Sequence, residues 1–325
     1  MQTLVTGGAG FIGSHIVRRL LNQGHRVRVL DNLSEGTTAN LEEVADDIEF
    51  VEGDVRDEAS VRRAVEGVEG VYHLAAEVSV PKSMEEPMLF EDVNARATLL
   101  LYEEAAKAGA RRVVLSSTSA IYGDAECERN VETLTPAPLS PYALSKLAGE
   151  HYGRIFTQSG KLEVACLRYF NVYGPRQSVT SAYAAVIPIF ITRILDNKPI
   201  TIFGDGEQTR DFVFAEDVAG ANTLAMETPA AAGEVFNISG DNRISLNDLV
   251  NDLRRLMPDR RGGDKERERG GEEFEVNYAD PRAGDIKHSR ADITKAKQTL
   301  GFIPKVTFLE GLERTIQAFN VISNE

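Results

Sequence analysis

The stretch TGGAGFIG, residues 6–13, limits the fold more than any other part of this 325-residue chain. It places four glycines, Gly7, Gly8, Gly10 and Gly13, directly after the apolar pair Leu4–Val5 and directly before a helical pattern. In that pattern Ile12, Ile16 and Leu20 share one face, and Gly24 marks the end. Gly8, Gly10 and Gly13 satisfy G-x-G-x-x-G in the strand–loop–helix setting the motif needs. Glycine there permits a tight turn, close approach of a pyrophosphate and close packing of helix on strand. The first helical turn adds amide donors and partial positive charge. The pattern predicts a dinucleotide site built around Gly7, Gly10 and Gly13.

The rest of the first half continues the same rhythm. Strand-like runs fall at Thr3–Thr6, Arg26–Asp31, Ile48–Glu52, Gly70–Leu74, Arg112–Ser116 and Val164–Tyr169. They are rich in Val, Leu and Ile without polar alternation, as expected of strands covered on both faces of a parallel sheet. Helical patterns cover Glu58–Glu66, Glu91–Ala108 and Tyr142–Gln158. Repeated β–α units predict an α/β fold, a Rossmann-like doubly wound parallel sheet. At roughly 150 residues per domain the length fits two units. The boundaries are 1–168 for the dinucleotide-binding domain and 169–325 for a smaller mixed α/β substrate domain, some of whose segments return to the first sheet. In that second half helices are expected near Ser181–Asp196 and at Glu216–Glu227, Leu246–Leu256, Asp292–Thr299 and Leu309–Ile322, with a strand at Ile200–Phe203. The mixed-charge run PDRRGGDKERERGGEE, residues 258–273, reads as a solvated loop.

Composition excludes several partners. Fifty Asp and Glu against 36 Lys and Arg give a net charge of −14, which repels nucleic acid and anionic lipid. The two cysteines, Cys127 and Cys166, are too few and too far apart for a disulfide scaffold, and no Cys/His cluster has metal-ligand spacing. No leader-like segment and no run of 18 apolar residues occurs, so a cytoplasmic protein is expected.

Three further stretches carry chemistry. Asp31 ends the second strand eighteen residues after Gly13, where a carboxylate accepts the adenosine ribose hydroxyls and repels a 2′-phosphate. This favours NAD over NADP, although Asp31–Asn32 also suits a plain turn. Asp54 and Val55, after the third strand, can face the adenine; Asp57 beside them is a natural helix N-cap. In SPYALSKLAGE, residues 140–150, Tyr142 and Lys146 lie four apart on one helix face. An ammonium close to a phenol favours the phenolate, so the pair is a candidate proton-transfer device. In VVLSSTSAIYGD, residues 113–124, Ser116, Ser117 and Thr118 offer hydroxyls at the carboxyl end of the fifth strand, where open α/β sheets bind ligands.

TGGAGFIG, HLAA at 73–76, SSTSAIYG, the Y-x-x-x-K of SPYALSK, LRYFNVYGPRQ at 167–177 and TRDFVFAEDVA at 209–219 follow one another in that order. Together they resemble the extended short-chain dehydrogenase/reductase family and, within it, the UDP-sugar 4-epimerases. The resemblance implies interconversion of UDP-glucose and UDP-galactose through a 4-keto sugar on one bound NAD. Tyr142 would be the catalytic base, Lys146 would hold the nicotinamide ribose and lower the pKa of Tyr142, and Thr118 would bond the 4-oxygen. Phe11, Ile12, Asn32, Asp54, Val55, Leu74, Ala75, Ala76, Ser116 and Tyr169 would join the glycines and Asp31 around the cofactor. Asn171, Arg210 and Arg282 would hold the sugar diphosphate, Asp285 the uridine ribose, Val186 and Phe203 the nucleotide, and Lys82 and Ser83 the sugar. Guanidinium suits the diphosphate because it binds in a bidentate fashion. Related dehydratases and decarboxylases carry an acidic residue just after the Ser/Thr; here Ser119 and Ala120 follow Thr118, which argues against both. UDP-glucuronate 4-epimerase stays open, as does a non-catalytic NAD-sensing module. The position that resembles the family's gate on sugar size is Ser289, small enough for N-acetyl sugars, or else a helix N-cap. A homodimer through Glu91–Ala108 and Tyr142–Gln158 is also implied.

Overall fold

The structure, a computed structural model, describes residues 1–125, 127–178, 185–257, 274–281 and 287–322. The charged run 258–273, Arg282 and Asp285 lie outside them. In the first half β1 (Gln2–Thr6), α1 (Phe11–Asn22), β2 (Arg26–Asp31), β3 (Ile48–Glu52), α2 (Glu58–Val65), β4 (Gly70–His73), α3 (Val80–Glu85), α4 (Pro87–Phe90), α5 (Ala97–Lys107), β5 (Arg112–Thr118), α6 (Pro141–Gln158) and β6 (Glu163–Tyr169) follow in turn. The second half contains β7 (Asn171–Tyr173), α7 (Val186–Leu195), β8 (Ile200–Phe203), β9 (Thr209–Arg210), β10 (Phe212–Phe214), α8 (Ala215–Glu227), β11 (Val235–Ile238), β12 (Ile244–Ser245), α9 (Leu246–Leu256), β13 (Val276–Ala279) and α10 (Phe308–Ile322).

Seven strands form one sheet in the order β11-β6-β5-β4-β1-β2-β3. Every pairing in it is parallel. Neighbouring residues on each strand enter opposite faces, as the period of two requires. Leu4, Leu30, Val71 and Val113 pack with Val61 and Leu101 on one side. Val5, Val29, Tyr72 and Val114 pack with Ile16, Val17 and Leu20 on the other. Both faces are therefore apolar, which is why the strands read as unbroken hydrophobic runs. The sheet is that of a Rossmann-like α/β fold, and β11 brings a segment of the second half into it.

The helices start where side chains satisfy their free amides. Asp57 accepts from the Ser60 amide at 2.9 Å and Ser140 from the Ala143 amide at 3.2 Å, with Pro141 in the first turn. The helical pattern expected as one piece at Glu91–Ala108 has a wide turn at Glu91–Arg96 before α5. That turn carries Asn94 into the interior, 2 % exposed. No helix begins at Ser289: its amide instead donates to the Thr209 carbonyl at 3.1 Å, and Asp292 accepts from the Thr294 amide at 2.8 Å to start the turns that follow. In the second half Ile191, Ile202, Phe212, Leu249 and Leu312 form a separate core. Among the described residues no helix is long and apolar enough to cross a membrane.

Candidate active site

The strand order runs outward in both directions from β1, so a crevice opens at the carboxyl ends of β1 and β4. Three sequence motifs meet there: the glycine loop after β1, HLAA at the end of β4, and Ser116–Thr118 at the end of β5. The glycines are there for space. Gly7 has φ +69°, and a Cβ on it would lie 2.7 Å from the Ala75 nitrogen. A Cβ on Gly13 would lie 2.1 Å from the Gly7 carbonyl oxygen. The loop is thus pressed against both the HLAA segment and its own helix.

Asp31 is 7 % exposed and accepts from the Ala9 amide and the Leu33 amide, each at 2.9 Å. Burial pushes its carboxyl above the usual carboxylate range. Asn32 donates to Asp54 at 3.0 Å, and Arg56 binds Asp54 with two nitrogens at 2.7 and 2.9 Å. Arg56 holds the Asp54 carboxyl well below its ordinary value. Val55 is buried beside it.

His73 ties the motifs together. Thr98 Oγ1 donates to the Asn94 carbonyl at 2.6 Å, so it accepts from His73 Nε2 at 2.8 Å. His73 Nδ1 is then free to accept from Thr6 Oγ1 at 2.7 Å, while Thr6 Oγ1 accepts the Leu74 and Ala75 amides at 3.2 Å. This tautomer follows from the hydrogen-bond partners. Burial depresses His73 to about 3, so the imidazole is neutral at ordinary pH, as the chain of bonds demands. Leu74, Ala75 and the first residue of TGGAGFIG are thereby fixed to one another.

Tyr142 opens α6, half-buried, with the Phe90 ring edge-on to it at 6.3 Å. Thr118 Oγ1 bonds the Tyr142 phenol and accepts the Ala120 amide at 3.1 Å. Burial pushes the Tyr142 phenol above its usual value, with the Thr118 bond acting the other way. The expected draw of Lys146 on the phenol is not among the influences on Tyr142 here, where burial is the largest. Lys146 is 5 % exposed and makes no hydrogen bond to any described residue. Its burial lowers it to about 8, against the pull of Glu150. Ser116 Oγ donates to Tyr169 Oη at 3.1 Å, and Asn222 Nδ2 donates to the same oxygen at 2.7 Å.

A cleft of about 710 Å³ has Asn171, two residues beyond Tyr169, in its wall with Val186, Phe203 and Arg210; Tyr142, Thr118 and Lys146 are not among the residues that line it. Val78, Arg193 and Gln208 also line it and were not expected. Lys82 and Ser83 do not line it. Lys82 pairs with Glu77 at 2.9 Å, and Ser83 is fully buried with its hydroxyl donating to the Val80 carbonyl at 2.6 Å. A serine one turn into a short helix spends its donor on its own backbone, which is why it is withheld from the cleft. Ser289 is half-buried at Thr209, next to Arg210, outside the wall of the cleft.

Sequence reasoning missed the groups behind the front row. Asn94 accepts the Glu77 amide and donates to the Glu77 carbonyl, both at 2.9 Å, and donates to Ser145 Oγ at 3.1 Å. Glu150 and Arg168 form a buried pair, 3 % and 4 % exposed at the side chain. Glu150 was within reach of inspection, since it repeats the four-residue step from Tyr142 to Lys146. Asn94 was not, because its inward placement depends on the wide turn.

A cradle for pyrophosphate, a buried carboxylate at a strand end, and an ammonium with no hydrogen-bond partner among the described residues fit a nicotinamide dinucleotide next to a phenol and a hydroxyl. Such a site suits a dinucleotide-dependent enzyme acting on an alcohol carbon. Comparison with known proteins gives the same class. Residues 3–239 match the NAD dependent epimerase/dehydratase family. The UDP-glucose 4-epimerase of Mycolicibacterium smegmatis is 38% identical over 323 residues, 98% of each chain. The crystal structure of UDP-glucose 4-epimerase with UDP-glucose from Thermotoga maritima superposes with TM-score 0.89 at 39% identity, covering 99% of this chain and 100% of that one. UDP-N-acetylglucosamine 4-epimerase from Methanobrevibacter ruminantium M1, in complex with UDP-N-acetylmuramic acid, gives TM-score 0.90 at 36% identity, covering 100% and 99%. This chain belongs to the NAD dependent epimerase/dehydratase family, among its UDP-sugar 4-epimerases. Its cofactor is NAD.

Proposed function

We propose that this protein interconverts UDP-glucose and UDP-galactose. The observation that supports the proposal is the pairing of Thr118, at the end of β5, with Tyr142, at the start of α6, in a chain whose second half supplies a cleft lined by Arg210 and Asn171. The first pair handles a sugar hydroxyl, and the second supplies a positive group and an amide for the diphosphate. Gly7, Gly10, Phe11, Ile12 and Gly13 would hold the pyrophosphate, Asp31 the adenosine ribose and Lys146 the nicotinamide ribose. Bound NAD supplies the hydride acceptor and later the donor, and a positive ring that favours the phenolate. Thr118 orients the 4-hydroxyl. Tyr142 takes its proton as C4 is oxidised and returns it when the other face of the 4-keto sugar is reduced. The ketone turns over within the cleft while Arg210, with Arg282 outside the described residues, keeps the diphosphate.

Ser289 favours a broader substrate range. It is a small residue, bonded through its backbone to Thr209 beside Arg210, at the position that resembles the family's gate on sugar size. A panel of UDP-glucose, UDP-N-acetylglucosamine and UDP-glucuronate, read by product stereochemistry without added NAD, tests both points. Turnover of UDP-glucose and UDP-N-acetylglucosamine is expected. Turnover of UDP-glucuronate alone would replace the proposal with a glucuronate 4-epimerase, and no turnover of the N-acetyl sugar at millimolar concentration would remove the role given to Ser289.

A further inference from the structure

Behind Tyr142 and Lys146, α6 presents Glu150 at the next four-residue step. Its carboxylate is fully engaged. Arg168 Nη2 donates to Oε2 at 2.7 Å, Arg168 Nε donates to Oε1 at 3.0 Å, and Ser117 Oγ donates to Oε1 as well. Arg168 Nη1 donates to Tyr122 Oη at 2.8 Å, and Tyr122 Oη donates to Asn237 Oδ1 at 2.7 Å. Ser117 sits between Ser116 and Thr118, and Arg168 precedes Tyr169, so this one carboxylate braces both strands that carry the site.

We propose that Glu150 is a positioning residue for the proton transfer: buried one helical turn from Lys146 and held in place by Arg168 and Ser117, its carboxylate keeps the Lys146 ammonium charged. This rests on the reading of Tyr142 and Lys146 as the proton-transfer pair. A charge balance supports it. Three of the buried groups packed here carry charge: Lys146, Glu150 and Arg168. From β4, His73 is neutral. From β6, the Cys166 thiol is pushed up by burial, as are the Tyr102 phenol from α5 and the Tyr122 phenol beyond β5. From the segment before α5, Lys82, Glu85, Glu91, Asp92 and Arg96 lie towards solvent, where screening is strong. Two cations thus share one buried anion. Arg168 cannot shed its proton, so Lys146 is the group that yields when the carboxylate is removed. Burial draws Lys146 down to about 8 even with Glu150 opposing that draw.

The test is the pH profile of kcat for the NAD-loaded enzyme with Glu150→Gln. Loss of the Lys146 proton ends activity on the alkaline side, and in the variant that limb moves at least one pH unit towards acid, a loss of about fivefold or more at pH 8. Glu150→Asp returns most of the limb. A limb that stays in place while kcat falls equally at every pH, or a profile with no change, overturns the proposal. If Glu150→Gln does not fold, Glu150→Gln with Arg168→Met removes both charges, and its limb must also lie on the acid side of the wild type. Full activity of Tyr142→Phe would instead defeat the reading of the site on which this inference stands, so the two failures are distinguishable.

Discussion

Tyr142→Phe lowers kcat by about 10²–10⁴-fold while bound NAD and thermal stability stay near wild type. The phenol hydroxyl is the only part removed, and the ring remains edge-on to Phe90. Thr118 loses one partner but still accepts the Ala120 amide. The structure therefore has little reason to change. Neither of the two buried groups nearby replaces the phenol as the base: Lys146 is cationic below about 8, and His73 is enclosed and neutral. Kinetics on UDP-glucose with the cofactor content of each preparation measured in parallel decides the point. A variant with wild-type kcat would move the base elsewhere.

The second large effect is on retention of the cofactor. Gly13→Ala puts a methyl 2.1 Å from the Gly7 carbonyl oxygen and 2.8 Å from the Gly8 Cα, both backbone atoms of the same loop. Neither can move aside without displacing the turn. An overpacking penalty of about 3 kcal/mol corresponds to about a 100-fold loss of NAD affinity if the loop bears it. Gly10→Ala is the contrast, since its Cβ would lie 3.2 Å from the same Gly7 oxygen, a contact that a small shift relieves. Purified Gly13→Ala protein should arrive largely without NAD and Gly10→Ala with most of it, as measured by absorbance after denaturation. Equal cofactor content in the two variants would refute this account of the loop.

The main sheet was legible because its strands are buried on both faces: Arg26–Asp31 and Ile48–Glu52 coincide with β2 and β3 residue for residue. Of the small pairs only β8 was, at Ile200–Phe203; its partner β13 and the pairs β7–β10 and β9–β12 were not, since such short strands are set by partners far along the chain rather than by local pattern. The site shows the same division. Motif residues such as Gly7 and Tyr142 announce themselves by spacing. Lys82 reads as a free cation in the sequence, and only the fold brings Glu77 to it. Ser83 reads as a hydroxyl for a sugar, and only the helix turns it onto the Val80 carbonyl. Glu150 reads as one more polar residue on a helix, and only the pairing of β5 with β6 sets Ser117 and Arg168 around it.

The central claim is that one bound NAD takes a hydride from C4 and gives the same hydride back. The most direct measurement uses UDP-glucose deuterated at C4, with purified enzyme, no added NAD and product examined by NMR. The account predicts UDP-galactose that keeps its deuterium at C4, with no NADH released to solution. Deuterium lost to solvent, or turnover that depends on added NAD and accumulates NADH, would contradict it.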